Sequence, residues 1–213
     1  MKYGESTFDI FYLVTTILVG LWILKNHHDR KEKMMGLAVL ILGCGDAFHL
    51  VPRVLNYFVN ADFTAALGLG KLVTSITMMV FYVLMYHICI EHYSDGSLNT
   101  LRTPVYLLTV LRIVLCLFPQ NGWFENRSDM TWGILRNIPF VVLGVLIIWM
   151  YRKHRKGDRS FRFIWLYVLL SFAFYLPVAV FAGVKPILGM LMLPKTVCYM
   201  LIVYTFYRFV KRK

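Results

Sequence analysis

Seven uninterrupted apolar runs leave this chain few ways to fold. They cover about residues 8–24, 35–58, 64–90, 101–119, 132–151, 163–182 and 187–207. Each is long enough to cross roughly 30 Å of hydrocarbon as a helix. A backbone in lipid has no water to satisfy its N–H and C=O groups, so spans of this length close their hydrogen bonds internally. The expected fold class is therefore all-α: a polytopic helical membrane protein with seven transmembrane helices in a single domain over residues 1–213. Composition agrees, with 59% hydrophobic and 16% charged residues, where soluble domains carry about 45–50% and 25%. The opening MKYGESTFDI is mixed in charge and no small-residue cleavage site follows Leu24, so the first run is expected to stay as a span.

The net charge of +12 would suit nucleic acid, but its placement argues for orientation instead. With the N-terminus outside and the C-terminus cytoplasmic, 15 of the 23 basic residues fall in cytoplasmic segments, within 25–33, at Arg102, within 152–162 and within 208–213. The outer tail and loops hold three, Lys2, Arg127 and Lys185. A Lys/Arg excess of this kind sets the orientation of a membrane protein and attracts anionic lipid headgroups. The expected location is the cell membrane and the expected partners are its lipids, with no nucleic acid. The four cysteines (Cys44, Cys89, Cys116, Cys198) stand singly inside runs, at no metal or CxxC spacing, and read as small apolar packing residues.

The remaining five basic residues, Arg53, Lys71, Arg112, Arg136 and Lys195, lie within the runs, with Asp46 as the one clearly embedded acid. A charge at the centre of a span costs roughly 2.5–3.5 kcal/mol or more, so such residues call for partners or a wet cavity. Counting depth along alternating runs puts Asp46 at mid-bilayer and all five cations in the outer half. Snorkelling to the headgroups accounts for a long side chain near a span end, such as Arg136 or Lys195. It accounts poorly for Asp46 and Arg112, which lie deeper. A water-accessible, outward-facing cavity that attracts an anionic group such as a phosphate accounts for all of them.

The second run carries the densest signal, Gly45-Asp46-Ala47-Phe48-His49-Leu50-Val51-Pro52-Arg53. Helical spacing puts Asp46, His49 and Arg53 on one stripe, and Pro52 leaves the carbonyl of Phe48 without its helical donor. An Asp and a His one turn apart can pair and relay a proton, or serve as polar glue between helices. No third His or Cys stands at ligand spacing, so no metal is expected. In the third run, Lys71, Ser75, Met78, Tyr82 and Tyr86 share a face. Ser75 and Tyr82 are candidates to line a ligand site beside Arg53, Lys71, Arg112 and Lys195, although serines in spans more often bond their own helix carbonyls and tyrosines more often pack. His87, Glu91 and His92 read as a solvated helix end. The pairs Pro177 with Tyr175 and Pro194 with Lys195 mark helices of the kind that break to line cavities.

The stretch GDAFHLVPR (residues 45–53) resembles the Gly-Asp motif of the lysoplasmalogenase (YhhN) family, as do the glycine-led helix from Gly70 to Tyr86 and the closing CYMLIVY (residues 198–204). The resemblance implies a polytopic hydrolase of the vinyl-ether bond of lysoplasmalogens, with Asp46 on the family's first aspartate and no cofactor. Thr74-Ser75-Ile76-Thr77 stands where the family usually has a histidine, Ser171-Phe172 where it tends to have Ser-Asp, and the family is commonly drawn with eight spans rather than seven. In that role Asp46 protonates the vinyl ether or activates water, His49 tunes the proton, and Arg53, Lys71 and Arg112 hold the phosphate of a lysophospholipid. A rival is a transporter or sensor of an anionic metabolite or lipid, with Asp46 as proton carrier. A retinal protein is a third, since a lysine lies in the last of seven spans, but no retinal-pocket motif accompanies Lys195.

The orientation is testable. Reporter fusions after Arg30, Asp95 and Lys156 should read cytoplasm, and fusions after Asp62 and Glu125 should read outside. A cytoplasmic signal at Glu125 would break the alternation on which the depth assignment rests.

Overall fold

A computed structural model describes residues 2–126, 129–181 and 186–212. Arg127, Lys185 and Lys213, three of the basic residues used for orientation, lie outside the described residues, as does Ala182 at the end of the sixth run. The chain forms α1 (Lys2–Lys25), α2 (Arg30–Phe58), α3 (Thr64–Tyr93), α4 (Arg102–Leu117), α5 (Met130–Lys153), α6 (Ile164–Phe181) and α7 (Met192–Lys211). Short 3-10 turns at Gly96–Leu101 and Pro186–Leu191 lead into α4 and α7. No strand occurs among the described residues. All seven segments are long and apolar enough to cross a membrane, which makes this an all-α, multi-pass helical membrane protein.

Each helix packs on its neighbours in sequence, and α1 closes the ring against α7, while α3 also reaches α5 and α2 reaches α7. The exterior is apolar: on α1, Ile10, Phe11, Val14, Leu18 and Leu21 are exposed along one face. The opposite face buries Ser6, Asp9, Tyr12, Leu13 and Thr16. Apolar side chains outward, with the polar residues of α1 turned inward, suit lipid.

The tightest seam runs between α2 and α3, and glycine makes it possible. A Cβ at Gly70 would run into the carbonyl of Phe48, and one at Gly45 into the side chain of Thr77. Phe48 is the residue whose helical donor Pro52 removes. α2 nevertheless continues unbroken to Phe58, because the proline lies on a helix supported by close backbone packing. Thr74 donates its hydroxyl to the carbonyl of Gly45 at 3.0 Å across the same seam. α6 likewise runs through Pro177, and Pro194 falls in the first turn of α7, where no helical donor is needed. Neither proline breaks its helix; the seventh run is divided instead at the 3-10 turn before Met192.

At the end of the bundle where α1 stops, the loops are tied down by side chains. Asp29 caps α2 by accepting the N–H of Glu32, whose carboxylate accepts the N–H of His28, the residue before the cap. The expected solvated end at His87, Glu91 and His92 is instead a paired cluster. His92 bonds Asp158 at 3.0 Å and lies against Phe161 with ring centroids 4.2 Å apart. Glu91 faces Arg30, and His87 bonds the hydroxyl of Tyr106. These partners come from other helices and loops, so spacing within α3 could not reveal them. Asp95 receives Lys153 at 2.8 Å and His154 at 3.0 Å. The Lys153 ammonium, with the hydroxyl and N–H of Ser97, holds the Asp95 carboxyl well below the usual range. Burial pushes Asp158 up, but the Tyr93 hydroxyl, the N–H groups of Ser160 and Phe161, and His92 outweigh it and leave it below the ordinary value.

The α2–α3 seam yields a direct test. Gly70→Ala should destabilise the protein by about 1–3 kcal/mol through overpacking and lower its melting temperature in detergent. Gly96→Ala, whose new methyl meets nothing within 4 Å, should melt with wild type. Coincident melting of all three proteins would contradict the close packing.

Candidate functional site

The embedded charges converge at the end of the bundle where α1 begins. A cavity of about 170 Å³ is lined there by Lys71, Thr74 and Ser75 of α3, Arg112 of α4, Arg136 and Phe140 of α5, Tyr175 of α6 and Lys195 of α7, with His49 of α2 at its edge. Four cations face it and no carboxylate does.

Arg112 is the most constrained of the four. Only 2% exposed, it lies with its guanidinium 3.9 Å from the centroid of Phe140. Its Nε and Nη1 have no hydrogen-bond partner, and it forms no ion pair among the described residues. A cation–π contact returns about 2 kcal/mol when desolvated, which is below the several kcal/mol that burying an ion costs. Lys195 is nearly as buried, at 9% exposure, with its ammonium 5.0 Å from the ring of Tyr175 and 5.6 Å from that of Tyr199. The aromatic faces give each cation partial charge compensation while leaving donors free.

The segment between α4 and α5 roofs the cavity. Asn121 donates its amide to the carbonyls of Leu115 and Phe118 at the end of α4, and the indole N–H of Trp123 donates to that of Cys116 at 2.7 Å. Gly122 at φ 56° and Asn126 at φ 50° turn the chain back over the opening, a left-handed conformation that Gly and Asn tolerate. Arg136 donates to Asn121 Oδ1 at 2.7 Å and stacks 4.3 Å from Trp123, while Lys71 donates to Asn126 Oδ1 at 2.7 Å. Arg136 is thus held at the cavity by the connection between α4 and α5.

A second, smaller lobe of about 50 Å³ adjoins the first, sharing His49, Thr74 and Lys195 with it. Its character is acidic: Glu5, Asp9 and Asp46 line it together with Arg53. The hydroxyl of Tyr12 donates to Asp46 Oδ2 at 2.7 Å. The expected Asp46–His49 hydrogen bond does not form, and His49 Nδ1 has no partner. Arg53 is ion-paired with Glu5, which also accepts from the Tyr57 hydroxyl at 3.1 Å. It therefore belongs to the acidic lobe and does not line the cationic cavity with Lys71 and Arg112. Asp46 is not the only embedded acid: Asp9, 4% exposed with Oδ2 unpartnered, lies inside α1, which starts six residues before the apolar run at Phe8.

Two further expected residues are placed differently from one another. Ser75 lines the cavity while its hydroxyl donates to the Lys71 carbonyl at 2.7 Å, the back-bond common for serine in a span. Tyr82 is fully buried in the core below the cavity, its hydroxyl 3.2 Å from that of Tyr199. Among the described residues no group of three His, Cys, Asp or Glu could hold a metal ion.

No protein-family model, curated protein or solved structure matches this chain. The chemistry of the site therefore rests on its own residues. Four cations lining one cavity attract an anion, and the free donors of Arg112 offer a guanidinium fork of the kind that grips a phosphate or carboxylate.

Because Arg112 carries a buried, incompletely compensated charge, its replacement separates binding from stability. Arg112→Met should melt at or above the wild-type temperature in detergent without added anion, since the isosteric apolar chain removes an ion's desolvation cost. It should also lose the rise in melting temperature that inorganic phosphate or a lysophospholipid gives wild type. A strongly destabilised Arg112→Met would show that the guanidinium holds the fold.

Proposed function

We propose that this integral membrane protein binds the phosphate of a membrane lysolipid in its four-cation cavity and hydrolyses that lipid at the adjoining carboxylate, Asp46. The observation that carries the reading is the cavity itself, where Lys71, Arg112, Arg136 and Lys195 face about 170 Å³ with no acid among the lining residues. That volume is below the 300–1,000 Å³ of sites that enclose a whole drug-sized ligand. It suits a headgroup whose apolar chain stays in the bilayer. On the orientation drawn from the basic residues, the cavity opens toward the outer face of the cell membrane.

The hydrolase part rests on the likeness of residues 45–53 to the lysoplasmalogenase motif and on the nearness of the two lobes. In this scheme Asp46 delivers a proton to the β-carbon of the vinyl ether, through the carboxylate oxygen not engaged by Tyr12. Water adds to the resulting oxocarbenium carbon, and the hemiacetal collapses to a fatty aldehyde and the free glycerol hydroxyl of the phospho-alcohol. Lys195, shared by both lobes, sits between the phosphate and the acid. The alternative, transport or sensing of the same anionic ligand without turnover, is favoured by one feature. Asp46 is engaged by Tyr12 and not by His49, so the Asp–His proton relay is not assembled.

Purified protein in detergent, given a lysoplasmalogen, separates the two readings. Turnover should be present in wild type and fall by roughly 10²-fold or more in Asp46→Asn, as for loss of a general acid. Lysolipid binding should survive that change. Wild-type protein that binds ether and ester lysolipids without cleaving any would sink the hydrolase reading and leave transport or sensing.

A further inference from the structure

The opposite end of the bundle carries a separate cationic feature that the lysolipid site does not use. The turn between α5 and α6 passes through Gly157 at φ 95° and encloses an open cleft of about 810 Å³, lined by Arg155, Lys156, Arg159 and Arg162 with Phe163 and Trp165. A second cleft of about 380 Å³ lies between that turn and α7, lined by Arg159, Arg208 and Arg212 with Tyr167 and Tyr204. The two clefts share Arg159 and Phe163. Six cations therefore border one continuous depression. Asp158 is the single acid in its lining, and it is already engaged by His92, Tyr93 and the N–H of Ser160. None of the six cations forms an ion pair among the described residues.

The sequence of α7 explains the arrangement. Tyr204, Arg208 and Arg212 stand four residues apart and share one face of the helix, so an aromatic at membrane depth is followed by two arginines one and two turns nearer its end. On the other wall, the guanidinium of Arg155 lies 5.5 Å from Trp165 and that of Arg162 lies 5.3 Å from Phe163. Phe163 is 49% and Tyr204 56% exposed. Exposed aromatic rings beneath a row of arginines match the boundary between acyl chains and headgroups. A soluble anion would use the arginines and leave the rings idle, whereas an amphiphile uses both.

We propose that these two clefts together seat one anionic phospholipid that carries two phosphates, one phosphate in each cleft, with its acyl chains running along the α6–α7 groove past Tyr167 and Tyr204. Charge complementarity favours this occupant, because a basic pocket between helices at a cytoplasmic-type membrane face recognises lipid phosphates. The shared Arg159 lies between the two phosphate positions, and Arg208 with Arg212 completes the second. A lipid with one phosphate fills half of the depression.

Native mass spectrometry of the purified full-length protein tests this, with cardiolipin, phosphatidylglycerol, phosphatidylcholine and inorganic pyrophosphate as probes. Cardiolipin should be retained at least about tenfold better than phosphatidylglycerol, phosphatidylcholine should not be retained, and pyrophosphate should not displace bound cardiolipin. The variant Arg159→Gln/Arg208→Gln/Arg212→Gln should lose this preference at an unchanged melting temperature. Should that variant not fold, the exposed single changes Arg159→Gln and Arg208→Gln should each weaken cardiolipin retention by about fivefold. Arg112→Met, at the other end of the bundle, should leave it unaltered. Equal retention of phosphatidylglycerol, displacement of cardiolipin by pyrophosphate, or indifference to the arginine changes would each overturn the proposal.

Discussion

The backbone-to-backbone contact between α2 and α3 is the constraint on which the rest of this structure depends. Gly70 fits against the carbonyl of Phe48, the group that Pro52 leaves without its helical donor, and Thr74 bonds the carbonyl of Gly45 one turn deeper. Helices that meet without side chains between them cannot slide or roll freely. The stripe Asp46, His49 and Arg53 is thereby locked in register against Lys71, Thr74 and Ser75. The two lobes of the site share a wall because these two helices share a seam.

Around that seam the charges sort by sign. Helix α1 supplies Glu5 and Asp9, α2 supplies Asp46, and Arg53 is drawn to their side by Glu5. Lys71, Arg112 and Arg136 come from α3, α4 and α5 and gather opposite, with Lys195 of α7 at the boundary between the two lobes. The separation is unfavourable in lipid, where opposite charges would pair if geometry allowed. Aromatic faces, Phe140 under Arg112, Trp123 under Arg136 and Tyr175 near Lys195, supply part of the missing compensation. A constellation that evidently sacrifices stability in this way is characteristic of a site kept ready for a ligand.

How much of this could be read from residues alone depends on whether the information was local. The seven helices were legible because a long apolar run has one outcome in lipid. The gathering of Lys71, Arg112 and Lys195 at one end was legible too, since alternate runs reverse direction and convert sequence position into depth. Asp9 was hidden because a carboxylate at the very start of the first apolar run reads as reaching the headgroups, and only its burial shows it turned into the bundle. The partners of Arg53 and His92 lie 48 and 66 residues away, beyond the reach of any spacing rule. The roof was equally obscure: Asn121 and Trp123 sit in a polar connection with no periodicity to mark them. Tyr82 shared a face with Lys71 in the helical repeat, yet the cavity lining on α3 ends at Met78 and the next turn carries Tyr82 into the core.

The pairing of Glu5 with Arg53 also bears on how the chain enters the membrane. Carried in alone, the first span brings the carboxylates of Glu5 and Asp9 with it and the second brings the Asp46 carboxylate and the Arg53 guanidinium, each at a cost of up to roughly 2.5–3.5 kcal/mol according to depth. Entering as a hairpin, with the short turn at residues 26–29 as its tip, the two spans present a carboxylate and a guanidinium to one another. Of the remaining carboxylates, Asp9 is buried away from the lipid and Asp46 accepts the Tyr12 hydroxyl of the first span. Insertion of these two spans as a pair keeps the Glu5 carboxylate and the Arg53 guanidinium from meeting hydrocarbon separately.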